Sequence, residues 1–177
     1  MSDRTEFSAQ TARRLKRLGE QYRRRHHTEL DDFLGGPALK EECGVFGIIG
    51  TPDAGALTAL GIHALQHRGQ EAAGIASFDF DNKVFHNERH LGLVADHFSD
   101  AHTLGALTGA AAIGHTRYST QGDTVLRNVQ PLYADLDKFG IAVAHNGNLT
   151  NSLKLRSDLV QRGCIFQSTS DSELFLQ

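Results

Sequence analysis

Glu41-Glu42-Cys43-Gly44-Val45-Phe46-Gly47-Ile48-Ile49-Gly50 is the stretch whose reading decides the fold. Two acids precede a cysteine, and the cysteine opens a short apolar run punctuated by glycines. A run of that length bounded by glycine reads as a buried strand over Gly44–Ile49. The composition breaks at the same place. Residues 1–42 carry nine basic and eight acidic side chains, a net +1, whereas residues 43–177 carry nine basic and 13 acidic, a net −4.

Upstream of the break the chain reads as a polar leader. Ala12, Leu15, Leu18 and Tyr22 form a thin helical stripe among arginines, so a short amphipathic helix that buries little is expected. Gly35-Gly36-Pro37 ends any such helix. The eight acidic residues argue against an organelle-targeting peptide.

Downstream, a helix is expected over 54–67 with Asp53 as its cap. A hairpin is expected from 74–80 to 83–85 around Asp81-Asn82. Residues 110–115 and 140–145 read as apolar strands, each running into a polar loop. Leu153, Leu159 and Val160 suggest a helix ending near Gly163. Ser170 with Glu173 reads as a capping box ahead of a helix that Gln177 cuts short. This order points to sheets covered by helices rather than to an all-β sandwich.

The composition narrows the class. The 177 residues suffice for one domain with a core, and 40% hydrophobic with 22% charged residues is ordinary for a soluble globular protein. A net charge of −3 gives no reason to expect a nucleic-acid partner, and the run Arg23-Arg24-Arg25 reads as a solvated face. No apolar run approaches a membrane span. Cys43 and Cys164 are too few for a disulfide framework, so a reducing, cytoplasmic setting is expected. His63/His67 and His86/His90 have i,i+4 spacing but lack a third ligand, so no metal site is expected in this chain.

Five segments occur in order and belong together chemically. They are Cys43-Gly44-Val45-Phe46-Gly47, Gln66-His67-Arg68-Gly69-Gln70-Glu71, His115-Thr116-Arg117-Tyr118-Ser119-Thr120, His145-Asn146-Gly147-Asn148-Leu149-Thr150-Asn151 and Thr169-Ser170-Asp171-Ser172-Glu173. They supply a thiol, a guanidinium, a side-chain amide beside a glycine, and an acid. A thiol is a weak nucleophile until a base takes its proton, and a free α-amine titrating near 8 is such a base when the cysteine is the first residue (about 7.7–8.0). An Asn amide and a glycine N–H can stabilise an oxyanion. Arginine suits a carboxylate, and aspartate suits an ammonium.

Over residues 41–177 the chain resembles the class II glutamine amidotransferases, of the N-terminal-nucleophile hydrolase superfamily. The resemblance implies an α+β fold, a four-layer αββα sandwich that is C-terminally incomplete here. It implies hydrolysis of glutamine through a Cys43 thioester. Asn146 and Gly147 would form the oxyanion hole, Arg117 and Asp171 would hold the amino-acid end of L-glutamine, Tyr118 and Thr120 would line the pocket, and Arg68 and Gly69 would stand near the thiol. The wording of residues 66–71 and of Tyr118 is nearest the branch that passes ammonia to phosphoribosyl pyrophosphate, giving 5-phosphoribosylamine, the first step of purine synthesis. Alternatives are a glucosamine-phosphate synthase-like member and a non-catalytic glutamine-binding module.

Two departures from that pattern shape the expectations. Cys43 is not the first residue, and Met1 is the only methionine, so the Glu42–Cys43 bond is expected to be cut and residues 1–42 removed. The phosphoribosyltransferase domain implied by the resemblance is not within residues 43–177. Its Mg²⁺, and a 4Fe-4S cluster found in leader-bearing members, would belong to the full-length protein, as would a homo-oligomeric state. Exposed sheet edges and poor stability are expected of residues 43–177 alone.

Overall fold

The computed structural model describes residues 2–26, 43–118 and 125–177, with side chains from Thr5 to Arg24 in the first span. Thr120, an expected pocket residue, lies outside the described residues. Helix α1 (Ser2–His26) comes first, followed by β1 (Gly44–Ile49) and α2 (Ala54–Ala64). The hairpin β2 (Ala72–Asp79) and β3 (Val84–Leu91) follows, then the short helices α3 (Val94–Phe98) and α4 (Ala101–Ala106). The chain continues through β4 (Ala111–Arg117), β5 (Leu132–Asp135), β6 (Gly140–Val143) and α5 (Ser152–Gln161), and ends on a 3-10 turn, Asp171–Leu176.

The first sheet is antiparallel with strand order β1-β4-β2-β3, so β4 is central. Its helix-bearing face packs against α2. Gly114 of β4 makes this possible, because a Cβ there would lie 2.6 Å from Thr58 Cγ2 and 2.7 Å from Ile62 Cγ2. Gly61 plays the reciprocal part in α2, since a Cβ there would sit 2.5 Å from the Phe46 ring. Ile62, Ile75, Val94, Phe98 and Leu104 form the buried cluster beneath this face, joined by Leu15 of α1. The other face meets the two-stranded sheet β5–β6, where the rings of Phe85 and Tyr133 lie 5.2 Å apart. Phe78, Phe85 and Ile113, with Ala142 of β6, line an apolar trough of about 620 Å³ between them. Helices, sheet and second sheet thus stack in the order that an αββα arrangement requires, in an α+β fold.

Several local expectations need correction. The helix after Asp53 ends at Ala64, and Gln66–Arg68 forms a separate 3-10 turn. The cause is Gln66, whose buried amide donates to the Gly69 carbonyl and accepts from the Val94 N–H at 2.6 Å, drawing the chain off the helix axis. Asp53 stands at the N-cap position without a side-chain cap bond. Strand β3 runs six residues past the expected 83–85 segment, to Leu91. His86 and His90 therefore lie on a strand, where four residues span about 13 Å, too far for one ligand sphere. The hairpin turn is closed by the Asp79 carboxylate, which accepts from the N–H groups of Asp81 and Asn82 at 2.9 and 3.1 Å. The last segment is a 3-10 turn, and Glu173 reaches back to the N–H groups of Gln167 and Ser168 rather than to Ser170.

Gly114→Val forces its added methyls into Thr58 and Ile62 and is expected to cost about 1–3 kcal/mol of stability by overpacking. Gly105→Ala, in α4 with open space around it, is expected to gain roughly 0.5 kcal/mol. Urea denaturation of the two variants checks both signs.

Candidate active site

The pairing of β1 with β4 builds the centre of the site. Gly44 faces Thr116 in the register, so Cys43, one residue before β1, arrives beside the end of β4 and Tyr118. The Cys43 thiol donates to the Tyr118 carbonyl at 3.7 Å. The Cys43 carbonyl accepts from Arg68 Nε at 2.9 Å and from Asn146 Nδ2 at 3.3 Å. Thus the thiol, Arg68, Tyr118 and Asn146, from four separate sequence segments, meet at one residue. Cys43 also holds φ at +50°, a left-handed conformation that L side chains disfavour.

Gly69 secures the loop that carries Arg68. A Cβ on Gly69 would lie 2.7 Å from the Thr116 carbonyl carbon and 2.8 Å from the Arg117 nitrogen. Its backbone is extended, so close approach rather than left-handed geometry demands glycine here. Gln66, pinned to Gly69 and Val94, fixes the other end of the turn.

The opposite wall is held by two buried amides, a half-buried acid and a half-buried arginine. Asn128 accepts from the Thr169 N–H at 3.0 Å and donates to the Thr169 hydroxyl at 2.9 Å, while its own carbonyl takes a bond from Arg117. Gln130 accepts from the His145 N–H at 2.6 Å. Asp171 accepts from the Leu149 N–H at 2.7 Å, tying the loop after His145 to the Asp171–Leu176 turn. Arg156 of α5 donates to the carbonyls of Ser168 and Ser170 at 3.1 and 2.8 Å. The His145 ring packs under Gly147, whose Cβ would lie 2.8 Å from His145 Nε2. Nothing larger than glycine fits at that point of the Asn146-Gly147 turn without displacing the ring.

These elements enclose a polar cavity of about 640 Å³ lined by Cys43, Arg117, Tyr118, Gly147 and Asp171, among others. Five of the nine residues expected at the site therefore share one wall-to-wall space. Arg68 and Asn146 touch it through the Cys43 carbonyl, and Gly69 lies behind Arg68. Gln66, Asn128, Gln130 and Arg156 were given no role by the sequence, although Gln66 stands within one of the quoted motifs. Arg117 is itself buried at the end of β4.

His115 lies one layer beneath. It is fully buried, and neither ring nitrogen meets a hydrogen-bond partner at good geometry. Burial, and then the positive charge of Arg117, push its pKa down to about 4, an effect that the nearby His145 backbone only partly offsets. His115 is therefore a neutral imidazole at neutral pH.

Among the described residues no three His, Cys, Asp or Glu side chains converge. Cys43 and Cys164 are the only cysteines in the sequence, so a four-thiolate cluster has no ligand set within residues 1–177.

Residues 115–177 match the sequence profile of the glutamine amidotransferase domain. An amidophosphoribosyltransferase of Rhizobium etli is 62% identical over 151 residues, which cover 85% of this chain and 30% of that protein. An amidophosphoribosyltransferase of Lacticaseibacillus casei is 51% identical over 138 residues, 78% of this chain and 70% of that sequence. The chain belongs to the amidophosphoribosyltransferase family. The glutamine phosphoribosylpyrophosphate amidotransferase of B. subtilis, solved with ADP and GMP, superposes with a TM-score of 0.66 at 40% identity, over 75% of this chain and 28% of that one. A structure described as the allosteric regulatory enzyme of purine biosynthesis superposes with a TM-score of 0.69 at 41% identity, again over 75% and 28%. The chain thus spans about 30% of the Rhizobium etli amidophosphoribosyltransferase. Membership in that family speaks against the glucosamine-phosphate synthase-like alternative.

The buried His115 has a measurable consequence. An unfolded histidine titrates near 6.5 and the folded one near 4, so below pH 6.5 the unfolded chain binds the proton first. Stability contributed by neutral His115 is complete above pH 6.5 and is lost as the pH falls towards 4, by up to about 3 kcal/mol. Chemical denaturation at pH 7 and pH 4 checks this against His115→Leu. The stability difference between the two proteins should move by roughly that amount in favour of the variant at low pH.

Proposed function

We propose that residues 43–177 carry the glutamine-hydrolysing site of an amidophosphoribosyltransferase, and that the released ammonia converts phosphoribosyl pyrophosphate to 5-phosphoribosylamine elsewhere in the full-length enzyme. The observation that carries this reading is the single cavity shared by Cys43, Arg117, Tyr118, Gly147 and Asp171. It offers a thiol at one end and a cation and an anion for the two charges of an amino acid.

In this reading Arg117 takes the α-carboxylate of L-glutamine, and the Asp171 oxygen not engaged by Leu149 takes the α-ammonium. The Cys43 α-amine accepts the thiol proton as sulfur attacks the side-chain carbonyl. Asn146 Nδ2 and the Gly147 N–H receive the developing oxyanion. The protonated amine then gives its proton to the departing nitrogen, and ammonia leaves a thioester on Cys43. Water, deprotonated by the same amine, hydrolyses the thioester to glutamate and the free thiol. Tyr118 lines the cavity, Thr120 is assigned to the pocket from its motif alone, and Arg68 holds the Cys43 carbonyl, with Gly69 securing the turn that carries it. A reducing, cytoplasmic setting suits a nucleophile that must stay a thiol.

The amine exists only after processing. The Cys43 thiol attacks the Glu42 carbonyl, the peptide nitrogen leaves as the Cys43 amine, and the chain is held by a thioester. Water then cleaves that thioester to a Glu42 carboxylate and a Cys43 thiol. The left-handed Cys43 backbone supports this order of events, because strain at the residue is relieved once its amide is opened.

Two variants of the full-length enzyme test the reading. Cys43→Ala is expected to retain residues 1–42 and to lose glutamine-dependent activity. Asn146→Ala is expected to mature normally, with a fall in kcat of about 10²–10³. Intact-mass measurement and a glutaminase assay read both effects. Glutamine-dependent turnover by Cys43→Ala would overturn the assignment.

A further inference from the structure

The structure gives residues before Cys43 a place that a disposable leader does not need. In α1, Ser8, Ala12, Leu15, Gly19 and Tyr22 recur at spacings of four and three, which puts them on one helix face. Ala12 and Leu15 belong to the main buried cluster with Ile62, Val94, Phe98 and Leu104, and Leu15 is 0% exposed. Gly19 lets the α1 backbone lie directly on Ala95 of α3, where a Cβ would collide with the Ala95 methyl. One turn on, Arg23 forms an ion pair with Asp96, which follows Ala95. The remaining face, with Arg13, Arg14, Lys16 and Arg17, is exposed. The thin stripe that the sequence presents is thus sufficient, because small residues bring the helix close and one leucine fills the centre.

We propose that the surface formed by α2, α3 and α4 is a binding site for this helix, and that residues 2–26 remain bound to it as a non-covalent subunit after the bond before Cys43 is opened. The surface suits an amphipathic helix with small residues and a single large aliphatic side chain towards the core, and a cation near Asp96. The inference rests on the proposed processing for its two-chain form, whereas the docking itself does not. Discarding the helix would remove Ala12 and Leu15 from the buried cluster that also holds Val94, Phe98 and Leu104.

The test uses the processed full-length enzyme after gel filtration. Denaturing mass spectrometry is expected to show two polypeptides, one beginning at Cys43 and one ending at Glu42, and native mass spectrometry their one-to-one sum. A chain beginning at Cys43 alone, with no bound peptide and an unchanged unfolding midpoint, would overturn the proposal. A single uncut chain would instead refute the processing reading, and docking is then decided by two variants of that chain. Leu15→Asp is expected to lower the unfolding midpoint on the order of 5 °C, with the exposed Lys16→Asp unchanged. Equal midpoints for Leu15→Asp and the parent would overturn the docking.

Discussion

The antiparallel register between β1 and β4 is the constraint on which the rest of the molecule depends. With Gly44 opposite Thr116, the residue before β1 has one place to go, beside Arg117 and Tyr118. A slip of one residue would turn each side chain of β1 to the opposite face and carry Cys43 away from the cavity. The register is held on one side by the packing of α2 on Gly114 and by Phe46 over Gly61. It is held at the site itself by Gly69, which closes on the backbone of Thr116 and Arg117. The fold and the candidate site therefore share their fixed points.

A second constraint joins the half of the site that comes later in the chain. The loop after His145 has little apolar burial of its own, and α5 buries none of its residues. Hydrogen bonds replace packing there: Gln130 to His145, Asp171 to Leu149, Asn128 to Thr169 and Arg156 to Ser168 and Ser170. Each of these side chains satisfies backbone groups that would otherwise lack partners, which makes the ties costly to lose. Asp171 accordingly has a structural duty beside its proposed one, and its second oxygen is what the ligand would use.

The parts of this architecture that were legible in the sequence are those with strong local signals. The run from Gly44 to Ile49 read correctly, and the strands expected at 110–115 and 140–145 exist with shifted ends (Ala111–Arg117 and Gly140–Val143), because short β-rich runs meet glycine or polar loops. The motifs that frame Cys43, Arg117, Gly147 and Asp171 made these residues stand out in the sequence, and the structure brings the four to one cavity. Strand β3 was missed beyond Phe85 because His86–His90 is polar and half-buried throughout, so no alternation shows. Helices α3 and α4 are too short for a helical period. Asn128 and Gln130 carry no local signature, since their partners Thr169 and His145 are distant in sequence. The docking of α1 was underestimated because the stripe of Ala12, Leu15, Leu18 and Tyr22 looks thin, and Gly19, which seats the helix on Ala95, gives no apolar signal of its own.

The most direct measurement of the central claim is covalent labelling of the full-length enzyme with a diazo-ketone analogue of glutamine, followed by peptide mapping. The account predicts one adduct per chain, on the Cys43 sulfur, confined to molecules in which Cys43 is the first residue. Equal labelling of uncut chains, or an adduct on Cys164 in place of Cys43, would contradict it.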